Sequence, residues 1–253
     1  MKHYLSDTLV DVLAGLGCTY LPLNPGSSIR GLHDSLVHHD GDDIPAIILC
    51  THEEIAVAAA HAYAKATGGA SFAAVHDLVG LMHASMAVYD AWCDRVPLVI
   101  LGGGGPADPD QRRPIDWFHS ANTQSALVRP FVKWDDDPVS PQATVDAVLR
   151  AYQIARSAPT GPTYVTIDAA LQETEDPGVH TASPPTLHAP PFIARAADLE
   201  AAARTLLGAR FPVVVAGGVG LDARSTPLLV DLVETLGTAG RDERNLSAFP
   251  TSH

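Results

Sequence analysis

The chain has 253 residues, enough for one large domain or for one complete domain and part of another. Apolar residues make up 46% of it, and no apolar run approaches the roughly 20 residues that span a bilayer, so a globular protein without a membrane segment is expected. The formal charge of −13, with no long basic run to offset it, repels phosphate backbones and argues against nucleic acid as a partner.

The chain starts Met1-Lys2-His3-Tyr4-Leu5-Ser6-Asp7 and passes directly into a helix whose Leu9, Val12, Leu13 and Leu16 form one apolar stripe. No signal-peptide pattern precedes it, and a cytoplasmic location is the default expectation. Short apolar runs at Thr19 to Leu23, Ala46 to Cys50, Ser71 to Val75, Pro97 to Leu101 and Thr163 to Ile167 predict mostly parallel, buried strands. Helices are predicted between them, at about Glu54 to Thr67, Leu81 to Trp92 and Pro141 to Ala155, the last with Ser140 as its cap and proline at its first position. The expected fold class is therefore α/β, a mostly parallel sheet with helices on both faces. Cys18, Cys50 and Cys93 cannot all pair and read as reduced thiols, two of them in apolar strand surroundings.

From Glu173 to Pro191 the sequence is rich in Pro, Thr, Ser and His without periodicity, which places a linker at 173–191 between a domain at 1–172 and a second at 192–253. The second shows a helix around Ala197 to Leu207, a strand at Pro212 to Ala216, a helix around Pro227 to Leu236, and no further element through Arg241 to His253. A single strand has no ladder partner, so this domain reads as unfinished.

Three stretches carry chemistry. In Thr51-His52-Glu53-Glu54-Ile55, a carboxylate stands between a strand end and an alanine-rich helix, at the sheet edge where open α/β folds bind ligands. The plain alternative is that Glu53 and Glu54 complement the helix dipole. His52 to Ala56 lacks the second histidine of H-E-x-x-H, and no metal ligand set is expected. Leu23-Asn24-Pro25-Gly26-Ser27-Ser28 reads as a Pro-Gly turn with a serine cap, and His76 in Val75-His76-Asp77 stands just past a strand end, where a group of ordinary pKa about 6.5 can relay protons.

The order of these three stretches resembles the thiamin diphosphate enzyme superfamily, in particular its benzoylformate decarboxylase and acetolactate synthase branches. There a glutamate at a strand end is followed nine residues on by a small residue and Tyr-Ala, and Glu53, Ala62, Tyr63 and Ala64 keep that register, with Ala62 where the family usually has Gly. Asn24 to Ser27 matches the family's turn after its first strand, His76 matches a family histidine, and Gly161 to Asp168 looks like the last strand of the pyrimidine domain. The resemblance implies that Glu53 exchanges a proton with the aminopyrimidine of thiamin diphosphate, that Pro25, Gly26 and His76 line the cofactor, and that Ser27 and His76 border a 2-oxo acid or related acyl donor. The implied activity is that of a lyase or transferase, a decarboxylase or acetolactate synthase-like carboligase.

The superfamily binds the diphosphate through Mg²⁺ on a second domain bearing Gly-Asp-Gly and an Asn-containing stretch. Asp40-Gly41-Asp42 falls too early and lacks the asparagine run. Val213 to Gly220 looks like the opening of the family's central domain, so the domain at 192–253 reads as its N-terminal fragment, and the expectation is a split enzyme, a heterodimer or heterotetramer in which a second polypeptide completes that domain and supplies the diphosphate and Mg²⁺ site. Two rivals remain: a non-catalytic regulatory or interaction subunit of the same fold, and a nucleotide-binding oxidoreductase component using Gly218-Val219-Gly220-Leu221-Asp222-Ala223, which fits G-x-G-x-x-A. Gly102 to Gly105 lacks a following Gly-Lys-Ser/Thr and is read as a tight turn. His33, His38 and His39 are read as solvated.

Overall fold

The computed structural model describes residues 3–39, 41, 43–175, 178–179, 193–221, 224–243 and 249–250. Most of the predicted linker, together with Asp40, Asp42, Asp222, Ala223 and the stretch 244–248, lies outside the described residues. The chain divides into two compact units, Met1–Leu187 and His188–His253.

The first unit runs α1 (Leu5–Gly15), β1 (Tyr20–Leu23), α2 (Arg30–His38), β2 (Ala46–Leu49), α3 (Glu53–Thr67), β3 (Ser71–Val75), α4 (Asp77–Asp94), β4 (Leu98–Gly104), α5 (Asp116–His119), β5 (Asp135–Asp136), α6 (Pro141–Arg156), β6 (Thr163–Asp168) and α7 (Ala169–Gln172). Its six strands form a parallel sheet in the order β2-β1-β3-β4-β6-β5. Alternation along the strands splits the core in two. Phe72, Ala74, Val99 and Leu101 pack with α1, α2 and α6, while Ala73, Val75, Leu98 and Ile100 pack with α3 and α4. This is the mostly parallel α/β class with helices on both faces.

The chain moves from β1 outward to β2 and then returns to β3 on the other side of β1, so a topological switch point lies between β1 and β3. The loops after those two strands leave the sheet at the strands' carboxyl ends, where open α/β folds place a ligand-binding crevice.

Three expectations are corrected. β2 is not buried: it is an edge strand, with Ile48 41% and Leu49 70% exposed. Gly102 to Gly104 form no turn but continue β4, paired with Thr166 to Asp168 of β6; they are glycines because a Cβ on Gly102 would stand 1.8 Å from the Tyr164 hydroxyl and one on Gly103 2.1 Å from Ser28 Oγ. In the second unit, which runs α8 (Ala196–Gly208), β7 (Val213–Ala216), α9 (Ser225–Leu236) and β8 (Ala239–Asp242), the polar segment Ala239–Asp242 pairs in parallel with β7. Its backbone groups find a ladder there that side-chain patterning does not announce.

That second unit has little interior. Among its described residues Ala216 and Val233 are the buried hydrophobics, while Leu199, Leu207, Phe211, Val215 and Leu228 are more than half exposed. Among the described residues of the whole chain, no helix is long and apolar enough to cross a membrane.

Candidate active site

Glu53 is the first residue of α3, directly after the β2 edge. The helix begins there because the His52 side chain accepts a hydrogen bond from the Glu54 amide at 3.2 Å, and it ends at Gly68, whose φ of 69° is the left-handed cap that glycine adopts without strain. One face of α3, made of Ala56, Val57, Ala60 and Ala64, is buried against a small-residue face of α4 that includes Gly80, Ala84, Ala87 and Ala91. His61 and Lys65 both reach Asp94, at 3.0 and 2.9 Å, and tie the two helices at their far ends.

This close approach buries Glu53, which is 5% exposed. Gly80 supplies the room, since a Cβ there would lie 2.8 Å from Glu53 Oε1. No hydrogen bond from the described residues reaches the carboxylate; the His83 imidazole stands beside it, with Nδ1 3.7 Å from Oε2. The buried side chain therefore keeps its hydrogen-bonding capacity open toward a ligand.

Across the crevice, the loop after β1 meets the loop after β3. A Cβ on Gly26 would stand 2.2 Å from the His76 ring, so only glycine lets the two loops touch. His76 Nδ1 lies 2.7 Å from Ser28 Oγ, which leaves Nε2 without a hydrogen bond from the described residues. Ser28 is 1% exposed, whereas Ser27 points outward and its hydroxyl lies 3.4 Å from Arg113. Pro25 is exposed beside it. Of the five residues singled out in the sequence, Pro25, Gly26, Ser27 and His76 thus form one cluster, and Glu53 lies close enough to raise the His76 pKa electrostatically.

The sequence did not point to the layer behind these residues. Asp77, next to His76, holds a positive φ of 47°, a strained conformation for a residue with a Cβ. It is 1% exposed, and desolvation pushes its pKa up to about 6 against hydrogen bonds from the Leu78 amide and Ser120. Arg113 donates to both oxygens of buried Asp116, which holds that carboxyl below its usual range. His119 stands edge-on to His76 with ring centres 5.7 Å apart. The His76 pKa is lowered, first by desolvation and then by His119, with smaller opposing contributions from Glu53 and Asp116. His52 and His83 stack with centroids 4.8 Å apart beside Glu53. His83 falls three residues after Gly80 on α4, a helical spacing that would have revealed it had α4 been docked on α3.

A separate polar cleft of about 490 Å³, lined by residues that include Tyr4, Asp7, Arg30, His38 and Glu173, contains none of these groups and has no chemistry converging on it.

Comparison with known proteins shows what the chain carrying this buried carboxylate is similar to. Residues 3–126 match the family described as thiamine pyrophosphate enzyme, N-terminal TPP binding domain. Benzoylformate decarboxylase of Pseudomonas aeruginosa is 29% identical over 217 residues, covering 81% of this chain and 39% of that protein. The acetolactate synthase large subunit of Lactococcus lactis is 27% identical over 218 residues, covering 84% of this chain and 36% of its own length. The fold matches that of the thiamine diphosphate-dependent 4-hydroxybenzoylformate decarboxylase of Rhodococcus jostii RHA1, with a TM-score of 0.80 at 23% identity over 99% of this chain and 46% of that one. The chain thus spans less than half the length of these relatives. Through residues 3–126 the chain thus matches the N-terminal TPP binding domain of the thiamine pyrophosphate enzymes.

Proposed function

We propose that this chain is the pyrimidine-binding subunit of a split thiamin diphosphate enzyme that breaks or forms a carbon–carbon bond next to a carbonyl, with a 2-oxo acid or related acyl donor as substrate. The observation that carries the reading is the Glu53 carboxylate: 5% exposed, without a hydrogen bond from the described residues, and given its space by Gly80. When bound, thiamin diphosphate supplies the electron sink for carbonyl chemistry. Glu53 holds or releases the proton on the aminopyrimidine.

His76, neutral at pH 7 because its pKa is lowered, presents Nε2 to the substrate side while Ser28 holds Nδ1. Its task is proton transfer to or from the reacting carbon. Ser27 and Pro25 form the outer lip, and Gly26 lets the His76 loop close against the turn that lines the cofactor, with Ser27 orienting the substrate carboxylate.

The split assembly is supported by two observations. Apolar side chains of the second unit stand in the open, and around Glu53 the faces of α3 and α4 expose Ile55, Tyr63, Met82, Met86 and Tyr89. A partner subunit that covers these surfaces would also bring the diphosphate and Mg²⁺ site.

The test is reconstitution. Mixed with the subunit carrying Gly-Asp-Gly, the wild-type chain should release CO₂ from aryl or alkyl 2-oxo acids, or condense them, and Glu53→Gln should assemble equally well yet lose turnover by at least about 100-fold. Turnover by Glu53→Gln at the wild-type rate would overturn the reading.

A further inference from the structure

We propose that His52, Glu53 and His83 form a binding site for a divalent transition-metal ion of the zinc, cobalt or nickel kind. One ligand atom from each lies within 4.8 Å of the others. One pair, His83 Nδ1 and Glu53 Oε2 at 3.7 Å, already approaches the roughly 3.4 Å edge of a tetrahedral zinc site.

The three side chains come from two elements that hold their relative positions. His52 and Glu53 begin α3, and His83 lies on α4, packed on α3 through alanine and glycine faces and fastened by Asp94. Glu53 is fixed by burial, while His83, with its side chain 60% exposed, is free to swing inward and close the triangle. The rings of His52 and His83 stack with centroids 4.8 Å apart and planes 10° apart, so the exposed His83 ring must turn out of the stack for both imidazoles to reach one ion.

The donor set selects the class of ion. Two imidazoles and one carboxylate suit borderline metals and leave one or more positions for water, whereas Mg²⁺ prefers an all-oxygen shell. His52 would exchange its bond from the Glu54 amide for a metal bond, and the net charge of −13 draws cations to the surface.

A metal held here occupies the carboxylate that the cofactor needs, so metal and thiamin diphosphate exclude each other. That consequence rests on the role proposed for Glu53; the metal site itself does not.

The experiment uses the full chain, stripped with chelator and titrated with Co²⁺ followed by visible absorption and with Zn²⁺ by calorimetry. Wild type should take up one equivalent with tetrahedral or five-coordinate cobalt bands, His83→Ala should weaken that uptake at least about tenfold, and Mg²⁺ should not compete. His83→Ala removes an exposed helix side chain, and its circular dichroism should match wild type. Zn²⁺ uptake unchanged in His83→Ala, or displaced by Mg²⁺, overturns the site. If the metal binds as described but thiamin diphosphate binding to the reconstituted enzyme is indifferent to it, the role of Glu53 fails while the metal site stands.

Discussion

Ser28 Oγ lies 2.7 Å from His76 Nδ1, so the buried serine of the β1 loop, not its exposed neighbour Ser27, sets the orientation of the histidine at the switch point. Replacing Ser28 with Ala should leave the ring free to turn and open a small polar void. We expect a loss of about 1–2 kcal/mol in urea unfolding, and in the reconstituted enzyme a larger fall in kcat than change in KM.

Gly26→Ala tests the contact between the two loops. The new methyl would overlap the His76 ring, and the strain should cost about 1–3 kcal/mol, measured by chemical denaturation. A variant as stable as wild type would show that the loops do not meet as described.

Asp77 predicts a specific pH dependence. Its folded-state pKa, raised to about 6 from 3.8 chiefly by desolvation, means that the fold prefers the protonated acid. The associated stability is full below pH 3.8 and is lost as pH rises through about 6, a change on the order of 2–3 kcal/mol. Asp77→Asn keeps an acceptor for the Leu78 amide and cannot ionise, so urea melts should show it more stable than wild type at pH 8 and close to it at pH 4.

The fold was largely legible because periodicity carries it. The 3.6-residue stripe of α1 and the short apolar runs of β1, β3 and β6 need no tertiary knowledge to be read, and Glu53 followed from its register with Tyr63 and Ala64. What escaped was held by pairing alone. Asp135–Asp136 and Ala239–Asp242 are polar strands that exist only because β6 and β7 offer them ladder bonds. At the site, Arg113, Asp116 and His119 lie in a loop with no pattern of its own, and their approach to Ser27 and His76 is tertiary. Asp77 was hidden for another reason: in sequence it looks like an ordinary first-turn acid, and only its positive φ and burial set it apart.

The His76 environment gives opposed predictions for two neighbours. Removing positive charge with His119→Gln should raise the His76 pKa, and removing negative charge with Glu53→Gln should lower it further, both read by NMR titration of the ring. Because the folded pKa lies below the ordinary value, the contribution of His76 to stability is present above about 6.5 and is lost as pH falls through the folded value.

Met86, 56% exposed on α4, tests the partner surface. Met86→Glu should change the stability of the isolated chain by no more than about 0.5 kcal/mol yet weaken assembly with the partner subunit by about 2 kcal/mol or more, measured by sedimentation.

Proton exchange at thiamin diphosphate C2, followed by deuterium quench in the reconstituted enzyme, is the most direct test of the central role given to Glu53. With the carboxylate present exchange should be fast, and in Glu53→Gln it should slow by at least about 100-fold while cofactor remains bound. Exchange at the wild-type rate in that variant would contradict the account.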